Sequence, residues 1–376
     1  MKLLFFIHSL SSGGAERVTT NLANYWASKG WHITVVTLDE IASDFYHLLP
    51  GVQRIALGMT HDSRTTLRGL ANNCRRILAL RRILKKVQPD IALSMMSTAN
   101  VLLALAAWHL SDLAVIGSER IHPPQFPLGP VWERLRALCY GRLGAITALS
   151  KAGALWLNEN TNARNTIVVP NAVNWPIGDH PPRIEPQGLV PSQKHLMLAV
   201  GRLDPQKGFD LLIDAFAELS SSQPDWMLVI LGEGEERARL EQKIKHYQMQ
   251  DCILLPGRVG NVGQWYEVAQ LYVLSSRFEG FPNTLVEAMA YGVAAISFDC
   301  DSGPRDIIRH GVDGLLVQPG DCNALRSALA RMMTDDALRL RFGERAIAVR
   351  DRFSMEKIAS IWENLFRELK DGFAPT

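Results

Sequence analysis

Two cations in the second half of the chain, Arg202 and Lys207, have the type and spacing needed to hold an anion. Both lie in the glycine-bounded segment 201–208, directly after an apolar run typical of a buried strand. At the carboxyl end of a strand and beside a new helix, two fixed cations can neutralise the charge that develops on a departing diphosphate. The alternative is a pair of solvated surface cations.

Two carboxylates further along the chain, Glu279 and Glu287, flank a loop that leads into a predicted helix. One can accept hydrogen bonds from the hydroxyls of a sugar and the other from those of a ribose. The loop amides lie at the helix N-terminus, where N–H groups bind phosphate and sugar oxygens. The loop residues are Gly280, Phe281, Pro282, Asn283 and Thr284. The alternative is a helix-capping acid followed by an ordinary helix carboxylate.

A third candidate is the segment 11–16, in which Gly13 and Gly14 separate a predicted strand from a predicted helix. Glycines let backbone N–H groups approach an anion closely, and the following helix adds its positive N-terminal end. These properties suit a diphosphate, although an ordinary strand–helix turn uses the same residues.

The elements that must position these residues alternate between short apolar strands and longer helices. In the first half the sequence predicts strands at 2–9, 31–38, 91–95, 114–118, 145–148 and 166–169, and helices at 15–29, 64–87 and 98–110. In the second half it predicts strands at 195–200, 226–231, 252–255, 271–274, 294–298 and 314–317, and helices at 209–220, 236–247, 262–269, 283–291, 322–333 and 337–349.

This alternation indicates an α/β protein with two Rossmann-like domains, whose parallel sheets are covered on both faces. The proline-rich segment 171–191 suits neither a helix nor a central strand, so it is predicted to be a linker. Two such domains would face each other across a cleft, with ligands beyond the carboxyl ends of the strands.

The bulk properties of the 376-residue chain fit two ordinary cores, since 47% of the residues are hydrophobic and 21% are charged. The five cysteines have no CxxC spacing, which argues against a disulfide framework or a zinc site and favours a reducing compartment. The apolar run at the N-terminus is short, and no other run is long enough to cross a bilayer. We therefore expect neither a signal peptide nor a transmembrane segment.

Five motifs, in this order and spacing, resemble the family-4 retaining glycosyltransferases of the GT-B fold. They are Gly13-Gly14-Ala15-Glu16, the segment 201–208, the E-x7-E element from Glu279 to Glu287, Ser302-Gly303-Pro304-Arg305-Asp306 and Gly311-Val312-Asp313-Gly314-Leu315-Leu316-Val317. Within that family the chain is similar to bacterial enzymes that extend polyprenyl-diphosphate-linked glycans. The resemblance implies an acceptor-side domain at 1–170, a nucleotide-sugar-binding domain at 192–353, and a C-terminal helix at 354–370 that packs back on the first domain.

The resemblance also implies a role for each residue of the donor site. Arg202 and Lys207 would hold the donor diphosphate, while Glu287 would bind the ribose and Glu279 the transferred sugar. The base would be bordered by Arg258 and Val259, and the loop 280–284 would contact phosphate and sugar oxygens.

In the first domain, the resemblance implies that Gly14, beside Gly13, approaches the diphosphate or the acceptor. Many relatives carry a histidine after the fourth strand of this domain, facing the donor sugar. Here Arg120 occupies the aligned position, and Arg120 is therefore counted with Arg202, Lys207 and Glu279 as catalytic. Glu119 and His122 are open alternatives for the same role.

The activity implied is retaining transfer from a UDP-sugar, such as UDP-GalNAc, UDP-Gal, UDP-Glc or UDP-GlcNAc, to a lipid-linked glycan in bacterial polysaccharide or glycoprotein glycan assembly. GDP-mannose is the alternative donor, and a nucleotide-sugar epimerase and a non-catalytic binder are the alternative classes. No cofactor and no metal are expected, although Asp299-Cys300-Asp301 has the D-x-D form of metal-dependent transferases. The ten histidines form no cluster of metal-ligand spacing.

The predicted helix 64–87 is the candidate for membrane contact. Residues 64–86 contain eight Lys or Arg and no acid, and residues 1–171 hold 18 basic against 10 acidic residues. At about 100° per residue, one stripe of this helix contains Arg64, Arg68, Arg75, Arg82 and Lys86. The neighbouring arc, which Arg81 and Lys85 interrupt, contains Leu67, Leu70, Ala71, Cys74, Ile77, Leu78 and Leu84.

A basic stripe beside an apolar one suits an anionic membrane surface or a lipid-linked diphosphate, whereas the alternative is a solvated helix face. We therefore expect a cytoplasmic protein bound peripherally to the cytoplasmic face of the inner membrane. The helix lacks the interleaved aromatic residues of a nucleic-acid-binding surface, so no nucleic-acid partner is expected.

Overall fold

A computed structural model describes residues 1–11, 13–60 and 66–371, apart from the side chains of residues 66 and 67. The chain divides into two compact units. The first contains residues 1–172 together with the C-terminal residues from Met355 onward, and the second is Val173–Ser354. Each unit has one parallel sheet flanked by helices.

The first unit has a seven-stranded sheet in the order β3-β2-β1-β4-β5-β6-β7. Its strands are β1 Lys2–Ile7, β2 His32–Thr37, β3 Val52–Ala56, β4 Ile91–Met95, β5 Ala114–Ser118, β6 Ala145–Ala148 and β7 Thr166–Val168. Its helices are α1 Gly14–Ser28, α2 Thr66–Val87, α3 Ser97–Ala106, α4 Pro130–Tyr140 and α5 Lys151–Asn160. The central strands are mostly apolar and buried because both faces of the sheet are covered.

The second unit has a six-stranded parallel sheet in the order β10-β9-β8-β11-β12-β13. Its strands are β8 His195–Val200, β9 Trp226–Leu231, β10 Ile253–Gly257, β11 Leu271–Leu274, β12 Ala294–Phe298 and β13 Gly314–Val317. Its helices are α6 Phe209–Ser220, α7 Arg237–His246, α8 Val262–Val268, α9 Asn283–Ala290, α10 Pro304–Ile307, α11 Cys322–Thr334, α12 Asp336–Ala346 and α13 Val349–Arg352.

The C-terminal helix, α14 Met355–Asp371, belongs to the first unit. Its apolar stripe buries Trp362 and Phe366, and the ring of Phe366 lies 5.4 Å from that of Trp26. Trp26 Nε1 donates to Glu363 Oε1 at 2.9 Å. Burial of one large apolar side chain contributes roughly 1.5–3 kcal/mol, so these contacts hold the chain terminus on the first unit.

The proline-rich segment 171–191 contacts the second unit from residue 173 onward. The guanidinium carbon of Arg350 lies 3.4 Å from the centroid of the Trp175 ring. Trp265 Nε1 donates to the carbonyl of Ile184 at 2.9 Å, and the Asn261 side chain exchanges hydrogen bonds with the same backbone. These contacts make residues 173–191 part of the packing of the second unit.

Three elements of the first unit, β3, α4 and α5, lie where the sequence analysis names none. Strand β3 is a short edge strand whose residues are mostly half-exposed, which weakens its apolar pattern. Helix α4 begins with Pro130 at its first position, and Ser150 caps α5 by accepting a hydrogen bond from the Gly153 amide at 3.1 Å. Both are start signals that the sequence carries.

Candidate active site

The strand order of the six-stranded sheet reverses between β8 and β11. In parallel α/β sheets, ligands bind beyond the carboxyl ends of the strands at such a reversal. Lys207 follows β8 and Glu279 follows β11, and Lys207 Nζ lies 2.7 Å from Glu279 Oε1. The fold therefore brings together two residues that the sequence predicts to be catalytic.

The Lys207–Glu279 pair is held from both sides. Ser276 Oγ donates to Glu279 Oε1 at 2.6 Å, and Glu279 is only 6% exposed. Gly208, next to Lys207, has a φ of 61°, and a Cβ there would lie 2.1 Å from the carbonyl oxygen of Ser275. Only glycine fits this position. The close approach of the loop after β8 to the loop after β11 therefore fixes the backbone position of Lys207.

Arg202 is paired with a different acid, Asp204. Its side chain is 75% exposed, and Arg202 Nη2 contacts Asp204 Oδ2 at 3.1 Å. An exposed ion pair of this kind contributes about 0–1 kcal/mol. The guanidinium is therefore free to leave Asp204 for a stronger anionic ligand.

Glu287 lies in the second turn of α9 and is 6% exposed. Tyr266 donates its hydroxyl to Glu287 Oε2 at 3.3 Å. Tyr272, on β11, donates to Thr284 Oγ1 at 2.7 Å. Burial and the negative charges of Glu279 and Glu287 raise the pKa of Tyr272, which places this tyrosine in the field of both carboxylates.

The loop between the two glutamates packs against the sheet edge. Phe281 and Pro282 are buried, and Ser302 Oγ donates to the carbonyl of Gly280 at 3.1 Å. Helix α9 begins at Asn283, so the loop ends at the positive end of that helix. The structure therefore agrees with the helix N-terminus that the sequence predicts for this loop.

Arg258 and Val259 directly follow β10, the edge strand of the same sheet. Arg258 is exposed and Val259 is half-buried. The pKa of Glu233 is lowered by its hydrogen bonds with Arg237 and, to a smaller extent, by the positive charge of Arg258. Arg258 thus lies near the acidic side chain of Glu233.

In the first unit, the three alternatives for the position after β5 are all buried. Glu119 is 2% exposed; Ser97 Oγ donates to its Oε2 at 2.6 Å, and the Tyr140 hydroxyl donates to its Oε1. Burial raises the pKa of Glu119. His122 and Arg120 are each 7% exposed.

Arg120 Nη1 donates to Ser118 Oγ at 3.3 Å, and Arg120 Nη2 donates to Asn171 Oδ1. Burial lowers the pKa of Arg120 to about 9. The guanidinium therefore stays protonated at neutral pH, although it is out of contact with bulk water.

The glycine turn after β1 is described except for Ser12. Helix α1 begins at Gly14, and a Cβ on Gly13 would lie 2.0 Å from Glu16 Oε2. Ser9 Oγ donates to Glu16 Oε1 at 3.5 Å, and burial raises the pKa of Glu16. A Cβ on Gly13 would therefore displace the Glu16 carboxylate, a shift that this flexible side chain can make.

Helix α2 presents its basic stripe to solvent. Its exposed members are Arg68, Arg75, Arg82 and Lys86, whereas Arg64 lies outside the described residues. Nothing in the described ranges forms a helix long and apolar enough to cross a membrane.

The apolar arc of α2 divides between solvent and core. Leu70 and Leu78 are 65% and 53% exposed, whereas Leu84 is 2% exposed. Ala71 and Cys74 are also exposed, Ile77 packs against the core, and the side chain of Leu67 is outside the described part. Arg81 donates to the carbonyls of Ala106 and Trp108, which anchors the last turns.

The two halves of the chain match two glycosyltransferase families. Residues 12–174 match the family described as Glycosyltransferase Family 4, and residues 182–349 match Glycosyl transferases group 1. Sucrose-phosphate synthase from Thermosynechococcus elongatus has the same two-sheet fold, with a TM-score of 0.84, 20% identity and coverage of 99% of this chain and 100% of that one. This chain is a family-4 GT-B glycosyltransferase.

Similar proteins come from several bacteria. An exopolysaccharide phosphotransferase of Streptomyces coelicolor is 33% identical, but the match spans 77% of this glycosyltransferase and 30% of that protein. A Campylobacter jejuni protein is 29% identical over 99% of this chain and 100% of its own. Its name is GalNAc-alpha-(1->4)-GalNAc-alpha-(1->3)-diNAcBac-PP-undecaprenol alpha-1,4-N-acetyl-D-galactosaminyltransferase. Anabaena HepE in complex with UDP has a TM-score of 0.78, 20% identity and coverage of 97% and 99%.

Four residues that contact or lie near the candidate site residues are not named by the sequence analysis. Ser276 binds the Glu279 carboxylate, and Tyr272 lies near both glutamates. Tyr272 lies in the predicted strand 271–274 and Ser276 follows it, so their place in the sequence is a usable signal. Tyr140 and Asn171, which bind Glu119 and Arg120, are 21 and 51 residues away in sequence, and no local pattern connects them.

Possible metal ligands are not clustered in the described part of this glycosyltransferase. Within residues 1–11, 13–60 and 66–371, no three His, Cys, Asp or Glu side chains are grouped so that they could hold a metal ion. Asp299, in the D-x-D sequence, forms an ion pair with Arg305 at 2.9 Å.

Proposed function

We propose that this glycosyltransferase moves a sugar from a UDP-sugar to a glycan carried on a polyprenyl diphosphate, with retention of the anomeric configuration. The main support for the proposal is the Lys207–Glu279 ion pair at the strand reversal. It places a cation that can bind phosphate beside a carboxylate that can accept hydrogen bonds from sugar hydroxyls. The UDP complex of Anabaena HepE supports the donor class, and the name of the Campylobacter transferase supports the acceptor class.

In the proposed reaction, the anomeric C–O bond breaks through an oxocarbenium-like state and its electron pair leaves with the UDP diphosphate. Lys207 and Arg202 stabilise the charge that develops there. The acceptor hydroxyl attacks from the face that the diphosphate leaves, and its proton passes to a donor phosphate oxygen. No protein nucleophile is assigned. Glu279 accepts hydrogen bonds from the transferred sugar and Glu287 from the ribose.

The geometry suits this division of roles. Lys207 is held beside Glu279 before any donor binds, so little reorganisation is needed when the diphosphate arrives. Arg202 is exposed and held only by Asp204, so it can turn towards the phosphates once they are bound.

The test of this function uses the whole chain, a panel of UDP- and GDP-sugars and a bacterial lipid extract, with sugar incorporation followed by mass spectrometry. We expect incorporation from a UDP-sugar, an α-linkage from an α-donor by NMR, and unchanged activity in EDTA. Incorporation from GDP-mannose alone would select the alternative donor. Sugar interconversion without acceptor-dependent release of UDP would instead select an epimerase.

We also propose that α2 binds the enzyme to the cytoplasmic face of an anionic membrane. Arg68, Arg75 and Arg82 lie on one exposed stripe, beside exposed Leu70 and Leu78. Basic side chains contribute about 1 kcal/mol each near an anionic surface, and apolar side chains add burial in the headgroup region.

Reversal of Arg68, Arg75 and Arg82 to Glu should abolish sedimentation with phosphatidylglycerol-containing liposomes. The matched control reverses three exposed cations of the second unit, with the same change in net charge; they are Arg239, Lys245 and Arg341. Equal loss of binding in both triple variants would leave only a net-charge effect and exclude α2 as the docking surface.

A further inference from the structure

Arg120 is buried at the carboxyl edge of the seven-stranded sheet and forms no ion pair with an acid in the described part of the chain. The residue is 7% exposed. Its two terminal nitrogens donate to neutral oxygens, those of Ser118 and Asn171. Its Nε is buried and makes no hydrogen bond.

The other buried arginines of the described residues are Arg136 and Arg339, and the charges of both are compensated. They are 1% and 7% exposed, and each forms an ion pair and lies over an indole ring. The partners are Glu133 and Trp156 for Arg136, and Asp336 and Trp226 for Arg339. Among the described residues Arg120 has neither kind of partner, so no described side chain of the first unit compensates its charge.

Glu119, the adjacent residue, does not supply the missing charge. Its two carboxylate oxygens accept hydrogen bonds from Ser97 and Tyr140. Burial raises the pKa of Glu119 above its ordinary value, and the hydrogen bonds from Ser97 and Tyr140 oppose that shift. The lowered pKa of Arg120 is caused by burial alone.

A buried cation without a counter-ion is destabilising. Proteins retain such costs mostly at functional sites, where a ligand supplies the opposite charge. Arg120 also stands where the ends of three strands meet. Ser118 ends β5 and bonds Thr147 of β6 through their hydroxyls at 2.8 Å, and Asn171 follows β7.

We propose that Arg120 is the core of an anion-binding site that takes a phosphate or carboxylate group of a substrate. The inference rests on the proposed function, because that function supplies substrates with such groups. An anionic oxygen replaces the neutral Asn171 oxygen on Nη2, since charge-assisted hydrogen bonds are about twice as strong as neutral ones. Nε then gains its missing acceptor, because a guanidinium presents Nε and Nη2 as a fork to one bidentate anion.

Three sources can present this chemistry: the UDP diphosphate, a carboxylate on the transferred sugar, and the diphosphate of the lipid acceptor. The probes are therefore UDP, UDP-glucose, UDP-glucuronic acid, and farnesyl diphosphate as a short-chain polyprenyl diphosphate. Binding of each probe is measured by calorimetry and by the rise in melting temperature. The proteins compared are wild type, Arg120→Met, Arg120→Lys and, as a matched buried-arginine control, Arg136→Met.

Without probes, Arg120→Met should melt at or above the wild-type temperature, because it removes an uncompensated charge, whereas Arg136→Met should melt lower. We expect Arg120→Met to bind at least one probe about tenfold or more weakly, with partial recovery in Arg120→Lys. Loss for UDP and both UDP-sugars identifies the donor diphosphate. Loss confined to UDP-glucuronic acid identifies a sugar carboxylate, and loss confined to farnesyl diphosphate identifies the acceptor.

Wild-type binding of every probe by Arg120→Met would overturn this inference while leaving the proposed function intact. A large fall in the melting temperature of Arg120→Met, with probe binding unchanged, would assign the arginine a structural role and also overturn it. A wild-type protein that binds none of the probes would overturn both the inference and the proposed function.

Discussion

The carboxyl edges of the two sheets hold their charges in opposite ways. In the second unit, Lys207 is matched by Glu279 at 2.7 Å and the pair is braced by Ser276. In the first unit, Arg120 has no ion-pair partner among the described residues, and Glu119 next to it is held by neutral donors.

The two sheet edges therefore differ in whether a bound anion would compensate a buried charge. At the second edge Lys207 is paired with Glu279 without substrate, so this pair is already positioned for a developing charge. The first edge carries an uncompensated charge that a bound anion would relieve. Removing a charged group should therefore affect protein stability differently at the two edges. Loss of a paired group should destabilise the protein, whereas loss of the unpaired group should not.

The largest effect is expected when the paired cation is removed. Lys207→Ala should lower sugar transfer by roughly 100- to 1000-fold, because one preorganised contact to a developing oxyanion is worth about 3–4 kcal/mol. The loss of activity is measured from initial rates of UDP release in the presence of acceptor. Lys243→Ala, which breaks the Lys243–Asp214 pair at 2.7 Å on the same unit, is the control and should retain activity. Near-normal turnover of the Lys207 variant would remove that residue from the mechanism.

The position of the pair depends on Gly208, and Gly208→Ala should be the next most harmful change. A left-handed backbone costs a non-glycine residue about 1–2 kcal/mol, and the close contact with the Ser275 carbonyl adds to that. Gly320→Ala is the control, because Gly320 has a φ of 74° but nothing within 4 Å of a Cβ.

Chemical denaturation should therefore show a larger loss of stability for Gly208→Ala than for Gly320→Ala, together with reduced transfer. Equal losses of stability would mean that the backbone at Ser275 can move to admit a Cβ at little cost. Gly208 would then be required only for its left-handed backbone conformation.

The fold of the second unit follows closely from its sequence, because each of its strands is a short apolar run between helices of ordinary length. The sequence also predicts that Lys207 and Glu279 lie close together. Each follows such a strand, and the carboxyl ends of parallel strands lie at the same edge of the sheet. In the first unit, β3 is missed because an edge strand is only partly buried. The helices α4 and α5 are missed because their apolar faces are short.

The uncompensated state of Arg120 could not be predicted at all. It depends on which side chains surround the end of β5, and these come from residues as distant as Ser97, Tyr140 and Asn171. Local patterns give the position of a residue in an element, whereas the partner of a buried charge is a property of the packed sheet edge.

A smaller effect is expected at the second carboxylate. Glu287→Gln keeps the size of the side chain but loses a charge-assisted acceptor, so donor binding should weaken about tenfold, or by about 1.4 kcal/mol. Because ribose contacts are the same in the ground and transition states, KM for the UDP-sugar should rise while kcat changes little. A fall in kcat at constant KM would instead place Glu287 among the groups that act in the transition state.

The smallest effect concerns Glu119 and appears as a pH dependence of stability. Burial raises the pKa of this carboxyl above its ordinary value of 4.5, so the folded state holds the proton more tightly than the unfolded state. Stability from this group is complete below about pH 4.5 and is lost as the pH rises through the folded pKa. Glu119→Gln has no such titration, so its melting temperature relative to wild type should increase from about pH 4 to about pH 8. Glu133→Gln, at the half-exposed partner of Arg136, is the comparison, and a parallel pH profile in the two variants would show that burial does not raise the pKa of the Glu119 carboxyl.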